Sequence, residues 1–158
     1  MKKLFAMFLC AAACAASAFA APGRLESNEV SASNLKLILN ERFGTSIDDD
    51  GAVIVKKGKY FEARIEIDSE NKRLIFGHAW AAKPGAAKSK CLEKANQWNI
   101  DRAFNTVIYD AENKRFIWFY YLAYTGGLNS TNLLDTVEIL LNNEEELVKN
   151  FYEGGLLE

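Results

Sequence analysis

The sequence predicts an α+β domain in which an antiparallel sheet of about five strands packs against three helices. Three observations point to this class. Several short segments alternate between apolar and polar residues, and one acidic turn sequence occurs twice between such segments. Three other stretches repeat apolar residues with the 3.6-residue period of a helix. The predicted order is helix, three strands, helix, two strands, helix.

The first segment of the chain is predicted to be removed before the domain acts. Residues 1–20 begin with two lysines, continue with an apolar stretch and end in small residues, with Ala18 and Ala20 at the −3 and −1 positions. This pattern predicts a secretory signal peptide cleaved after Ala20, and therefore a periplasmic or secreted bacterial protein. The alternatives are a membrane anchor, for which the apolar run is short, and lipoprotein processing at Cys10 or Cys14.

Composition and charge narrow the class of protein further. The chain has 158 residues, of which 49% are hydrophobic and 25% are charged, as in a globular protein. Loss of the signal leaves 17 basic and 21 acidic side chains, which argues against a nucleic-acid partner. Cys91 is then the one remaining cysteine, so an internal disulfide is excluded. Its helical spacing from Ala95 and Trp98 favours a buried small residue over a reactive thiol or a link between chains.

The first elements follow from capping and turn residues. Residues 21–29 are polar and aperiodic, so we expect a flexible lead-in to a domain that spans 30–158. Ser31 is the predicted N-cap of the first helix, and Gly44 is the predicted left-handed residue just after its end. The acidic segment 48–51 predicts a turn. It resembles the start of a calcium loop but lacks the glutamate that such a loop needs at its far end.

The strands are predicted from alternation and from β-branched or aromatic content. Residues 68–73 and 110–115 have nearly the same sequence, so we predict two hairpins with one turn design in a single sheet. Asn71 and Asn113 are expected to adopt the left-handed conformation in these turns. The predicted strands are 52–56, 60–67, 74–80, 103–109 and 116–124.

Two further helices complete the domain. The second is predicted over 84–99, where alanine, lysine and leucine predominate. The third is predicted to begin with an N-cap at one of residues 130–132 and to end at Gly154. The three glutamates at 144–146 are expected to form a solvated charged run within it.

Catalytic and metal-binding patterns are weak in this sequence. His78 is the one histidine, and its place between Gly77 and Ala79 in a predicted strand favours a packed or edge position over catalysis. We therefore predict a protein that is not an enzyme and has no catalytic residue, metal ligand or cofactor. An enzyme that uses scattered carboxylates is the alternative.

The last predicted strand is apolar on both of its faces. From 116 to 124 the residues are aromatic or aliphatic throughout, and a strand buried on both faces must be covered twice. Either helices of the same chain cover both faces, or a partner protein or second copy covers part of the sheet, including some of Trp118, Tyr120 and Tyr124. A different hypothesis is a small-ligand domain with a pocket lined by aromatic side chains, namely Trp80, Trp98, Trp118 and Tyr120.

Several short motifs occur in an order that is typical of one protein family. Leu74-Ile75-Phe76 precedes the second helix, which ends in Lys94-Ala95-Asn96-Gln97-Trp98-Asn99. Phe104 and Tyr109-Asp110 follow, and Gly126-Gly127 leads into the last helix. In this order the chain resembles the YbjN domain family of bacteria over roughly residues 30–152.

The resemblance implies a fold similar to that of type III secretion chaperones, which are small domains that often dimerise and bind other proteins. The family is labelled a bacterial sensory-transduction regulator. We interpret Asn96, Trp98 and Asn99 as a helix end held by a buried indole and by side-chain bonds to the backbone. The implied function is non-enzymatic protein interaction, chaperone-like or regulatory, with a partner protein or a second copy.

Overall fold

The computed structural model describes residues 21–58, 61–102 and 104–158. The predicted signal peptide and the predicted first residues of two strands, Tyr60 and Ala103, lie outside the described residues. The helices are α1 (Ala32–Leu39), α2 (Lys88–Asp101) and α3 (Ser130–Glu153). The strands are β1 (Arg24–Leu25), β2 (Gly44–Ile47), β3 (Val53–Lys57), β4 (Phe61–Asp68), β5 (Arg73–Ala81), β6 (Thr106–Asp110), β7 (Arg115–Ala123) and β8 (Leu128–Asn129).

Six of these strands form one antiparallel sheet in the order β2-β3-β4-β5-β7-β6. The predicted α+β class is confirmed, but the main sheet has six strands because Gly44 begins an additional one, β2. Gly44 is therefore paired with Lys56 and is not the left-handed residue that we predicted. Ser31 caps α1 as expected, since its Oγ accepts a hydrogen bond from the Asn34 N–H at 3.3 Å.

The centre of the sheet is the pairing of β5 with β7, which extends from Arg73 opposite Ala123 to Ala81 opposite Arg115. Alternate side chains of both strands point into one core, where Phe76 and Trp118 are almost fully buried. All three helices contribute to this same core. Within the described part of the chain, the helices therefore cover one face of the sheet and leave the other face open.

The two similar turns share a network around an aspartate. Asp68 accepts hydrogen bonds from the backbone and side-chain N–H groups of Asn71 at 3.0 and 2.9 Å, and from Arg73 Nε at 2.7 Å. The left-handed residue is Lys72, with φ 51°, so the prediction for Asn71 and Asn113 is wrong: both asparagines bind the aspartate instead. The second turn repeats these contacts with Asp110, Asn113, Lys114 and Arg115.

Residues just before the main fold are held against the start of α3. β1 pairs with β8, Leu25 is 2% exposed, and the Ser130 N–H donates to the carbonyl of Gly23 at 3.1 Å. This part of the segment 21–29 is therefore paired and packed, in contrast to the flexible lead-in that we expected. The N-cap of α3 is Asn129 and lies just before the predicted positions 130–132, because Asn129 Oδ1 accepts from the Asn132 N–H at 3.0 Å.

Gly127 is required where β1 approaches the chain before α3. Its φ is +91°, and a Cβ at this position would lie 2.7 Å from the carbonyl oxygen of Leu25. We expect Gly127→Ala to lower the free energy of unfolding by about 1–3 kcal/mol, measured by urea denaturation. The control is Gly126→Ala, since Gly126 has open space around its Cα. Equal losses in the two variants would contradict this explanation.

The paired turns predict a dependence of stability on acid pH. Hydrogen bonds from Asn71, together with Arg73, lower the pKa of Asp68 to about 2, and bonds from Asn113 lower the pKa of Asp110. A carboxyl whose folded-state pKa is depressed stabilises the fold above its unfolded pKa, and this stabilisation is lost as pH falls toward the folded value.

We therefore expect the free energy of unfolding to decline between about pH 4 and pH 2, and to decline less in the double variant Asp68→Asn/Asp110→Asn. Urea denaturation at each pH measures this slope. The control, Glu70→Gln/Glu112→Gln, changes carboxyls of the same turns that accept no hydrogen bond from the described side chains, and it should retain the wild-type slope. A double aspartate variant with that same slope would refute the assignment.

Candidate functional site

The open face of the sheet has a groove along β5. The side chains of β5 on this face are small at its centre, where Gly77 and Ala79 form the floor. A Cβ on Gly77 would lie 3.2 Å from the carbonyl oxygen of Trp118, so glycine permits the close approach of β7. In one cross-strand row, Gly77 lies between Arg64 of β4 and Phe119 of β7. The groove encloses about 430 Å³.

One wall of the groove is charged and is fixed by ion pairs. Arg64 Nε lies 2.9 Å from Glu66 Oε1, and its guanidinium also contacts Asp48 and, at 3.3 Å, Asp50. The hydrogen bond to Glu66 is the largest cause that raises the pKa of Arg64 above its ordinary value. The turn predicted over 48–51 is present, since the Gly51 N–H donates to the carbonyl of Asp48 at 3.0 Å. Its aspartates also position Arg64.

The opposite wall is apolar and belongs to β7. Ile117, Phe119 and Tyr121 point away from the helices, and Tyr121 is 48% exposed. The rings of Phe119 and Tyr121 have centroids 5.5 Å apart, and the guanidinium of Arg73 lies 4.7 Å from the Tyr121 ring centroid. This row of side chains, here called the β7 outer row, is the uncovered aromatic surface of the sheet.

Trp118 and Tyr120 lie on the other face of β7, and Tyr124 directly follows the strand. Trp118 and Tyr124 are 1% and 2% exposed, and Tyr120 is half-buried with its ring stacked 4.8 Å from Phe104. Trp118 and Tyr124 are therefore buried within the domain, and Tyr120 is partly covered by Phe104. Sequence reasoning missed the β7 outer row, although strict alternation along the strand would have separated the two faces.

The aromatic residues proposed to line a ligand pocket instead fill the core. Trp98 is 5% exposed, and its ring packs edge-on against Phe151 with 6.0 Å between the ring centroids. Trp118 is almost fully buried. Trp80 is half-buried, and its Nε1–H donates to Glu144 Oε1 at 3.0 Å. The structure therefore does not bring Trp80, Trp98, Trp118 and Tyr120 around one cavity.

Glu144 is the polar centre of the core. Its carboxylate is fully buried, and Oε1 lies 2.5 Å from Nδ1 of His78 and 3.0 Å from Nε1 of Trp80. The prediction of a solvated glutamate run is wrong at this position, whereas Glu145 and Glu146 are exposed. The signal was present in the sequence, because residue 144 lies four positions after Leu140 and three before Leu147, on the apolar side of α3.

The end of α2 protects an edge of the sheet. Asn99 donates from Nδ2 to the carbonyl of Val107 and accepts from the Val107 N–H, both at 2.8 Å. These backbone groups of β6 point away from β7, so the carboxamide occupies the place of a further strand. The Trp98 indole is buried beside this contact, so both side chains hold the end of α2 in place. Asn96 is exposed and makes no hydrogen bond with the described side chains.

Other expected features fall outside this surface. Cys91 is fully buried in α2, which confirms the prediction of a packed small residue. Within residues 21–58, 61–102 and 104–158, no group of three or more histidine, cysteine or acidic side chains is placed to hold a metal ion. No helix in the described part of the chain combines the length and the apolarity needed to cross a membrane.

These elements define a class of protein: an α+β domain with a six-stranded antiparallel sheet that is covered by helices on one face. The crystal structure of YbjN, titled "a putative transcription regulator from E. coli", matches this fold with a TM-score of 0.69 and 12% identity. The match covers 85% of this chain and 98% of that one. The HopA1–SchA chaperone–effector complex matches with a TM-score of 0.49 and 18% identity, over 72% of this chain and 93% of that one. No curated protein matches the chain significantly.

A family profile described as "YbjN: Putative bacterial sensory transduction regulator" matches residues 31–153. The chain belongs to the YbjN family. This confirms the family that the sequence motifs indicated. The family is one of described regulators and not of known enzymes.

The buried carboxylate should carry a large share of the stability. Glu144→Ala leaves the nitrogens of His78 and Trp80 without their acceptor inside the core, so we expect a loss of about 3 kcal/mol in the free energy of unfolding. Glu145→Ala is the matched control, because its ion pair with Lys57 is solvent-exposed and should contribute under about 1 kcal/mol. Urea denaturation of both variants checks this. Comparable losses would show that residue 144 has no special role.

Asn99→Ala should weaken the fold and expose the edge of β6. Loss of two hydrogen bonds to Val107 is expected to lower the free energy of unfolding by about 1–2 kcal/mol. The freed backbone groups should also promote self-association, which sedimentation velocity would detect as concentration-dependent larger species. Asn96→Ala, on the exposed side of the same helix, should change neither property. An Asn99→Ala variant that is as stable and as monodisperse as this control would refute the edge role.

Proposed function

We propose that this chain is an exported, non-enzymatic domain that binds another protein through the open face of its sheet. One observation carries this proposal: the helices in the described part of the chain leave uncovered the groove along β5 and the β7 outer row of Ile117, Phe119 and Tyr121. Apolar surface of this kind, bordered by charges, is typical of protein-binding sites.

The two walls of the groove favour a particular kind of partner. The β7 wall is aromatic and aliphatic, whereas the β4 wall presents Glu62, Arg64 and Glu66, with both signs of charge. A partner segment with apolar side chains on one side and charged side chains on the other would match both walls at once. The space of about 430 Å³ above Gly77 and Ala79 leaves room for its backbone or for a large side chain.

The role is proposed to be chaperone-like or regulatory and to lie outside the cytoplasm. Support for export comes from the signal-like pattern of residues 1–20. Support for a regulatory role comes from the description of the family. A non-enzymatic role is supported by His78, whose ring is turned toward the buried Glu144 and away from the open groove.

Site-specific photo-crosslinking tests the surface in living cells. In one strain a benzophenone amino acid replaces Phe119 on the open face. In a control strain it replaces Ile139, which lies on α3 and is 45% exposed. We expect a discrete cross-linked protein from position 119 and none from position 139. The additional change Ile117→Asp should reduce the product from position 119 several-fold, because it places a charge in the apolar wall.

The products distinguish the kinds of partner. Mass spectrometry identifies the cross-linked protein as a different chain or as a second copy. Equal products from both positions, or a product that Ile117→Asp does not reduce, would contradict the open face as the binding surface.

A further inference from the structure

The arginines and the lysines of this domain differ in how many of them form ion pairs. Among the described residues, every arginine lies in an ion pair with an acidic side chain. Five lysines near one end of the β5–β7 pairing form no ion pair with the acidic side chains that the structure describes. We call these residues the lysine tract: Lys83, Lys88, Lys90, Lys94 and Lys114.

The fold brings three of these lysines from separate segments to one depression. Lys83 follows β5, Lys88 begins α2 and Lys114 belongs to the β6–β7 turn, and all three line a space of about 440 Å³. The backbone positions them closely. The Ala82 N–H donates to the carbonyl of Lys114 at 2.9 Å, and the Lys83 N–H donates to the carbonyl of Leu156 at 2.8 Å.

The loop within this depression is rigid. The Ala86 N–H donates to the carbonyl of Lys83 at 3.0 Å, with Pro84 and Gly85 between them and Gly85 at φ +83°. Proline followed by left-handed glycine is the sequence of a type II turn. The lysine ammonium groups therefore extend from a fixed backbone, as in a built binding surface.

The tract continues along α2 through two neighbouring depressions. Lys83 and Lys90 line a second space of about 330 Å³, and Lys90 and Lys94 line a third of about 290 Å³. Of the acidic side chains that the structure describes, none lines the first two depressions, and Glu93 lines the third. The result is an elongated basic surface on a domain whose overall charge is acidic.

The position of these lysines does not favour stability. Lys88 and Lys90 lie in the first turn of α2, where the helix dipole favours negative side chains, and no side chain caps this end. Like charges around one depression also repel each other. An external anion would relieve both effects.

We propose that the lysine tract binds an acidic segment of a partner protein in extended conformation. Depressions in series fit successive carboxylates along a chain better than they fit one compact anion. The ammonium group of lysine is a mobile point charge that suits a single carboxylate. Arginine, whose planar guanidinium binds phosphate groups through two hydrogen bonds, does not occur in the tract. The first depression also has an apolar side formed by Ala82, Tyr109 and Ala111, which can contact the partner's backbone or apolar side chains.

This inference goes beyond the proposed function, because it concerns a second surface with a different chemistry. The two surfaces are adjacent: Arg115 lines the groove of the open face, and Lys114 lines the tract. A partner segment that leaves the groove at Arg115 would therefore pass directly onto the tract.

Fluorescence anisotropy with a defined probe tests the proposal. The probe is a fluorescein-labelled octapeptide of alternating glutamate and glycine, titrated with the purified protein at low salt. Lys83→Gln/Lys88→Gln/Lys114→Gln should weaken binding at least tenfold. The matched control is Lys36→Gln/Lys72→Gln/Lys149→Gln, which removes three lysines that also lie in no ion pair but are outside the tract. Unfolding curves establish that both variants are folded.

Each outcome either supports or overturns the binding of an acidic segment by the lysine tract. A tenfold loss confined to the tract variant, together with loss of binding at high salt, supports the proposal. Equal losses in the two triple variants would mean that net charge alone attracts the probe, and would overturn it. Tripolyphosphate or anionic lipid vesicles that bind the tract more tightly than the peptide would overturn the acidic segment in favour of a phosphate group. Cross-linking from position 119 is independent of all these results, so failure of the tract leaves the open face intact.

Discussion

The nine-residue pairing of β5 with β7 determines where every other element can lie. β4 extends the sheet on one side of it and β6 on the other, so the two hairpins flank a common centre. α2 connects β5 to β6 across the covered face. In its last turn, Asn99 forms hydrogen bonds with the backbone at the edge of β6. At the Arg73 end, the Tyr124 N–H donates to the carbonyl of Lys72, and Gly127 then turns the chain toward α3.

Among the described residues, the core that this pairing creates contains one acidic side chain, Glu144, and its position has a clear physical cause. α3 packs on the covered face against β4 and, through Glu144, against β5, so its apolar side must be continuous there. At residue 144 the facing strand presents His78 and Trp80, whose nitrogens need an acceptor once they are removed from water. A glutamate there satisfies both, which an apolar residue of similar volume would not do. The glutamate and the two aromatic side chains thus depend on one another.

Local signals in the sequence predicted most of the fold. Ser31 as a cap, the alternation of β4 and the duplicated acidic turns depend on neighbouring residues, and each formed as expected in outline. The errors occurred where distant contacts decide the structure. Leu25 is buried because β8 pairs with β1, Gly44 is extended because β3 lies beside it, and Glu144 is buried because β5 supplies its partners. The family could be recognised from motif order alone, but the surface that the domain exposes depends on which face of β7 the helices cover.

An uncovered sheet face with aromatic residues usually carries a risk of aggregation, and this domain limits that risk without covering the face. Asn99 blocks part of the β6 edge, so strand addition at that edge is opposed. The ion pairs of Arg64 place fixed charges beside the apolar wall, so a flat apolar partner would have to bury them without compensation. A partner that brings complementary charges along with apolar side chains avoids this cost. The same fixed charges that oppose the association of flat apolar surfaces would therefore also make the proposed binding face selective.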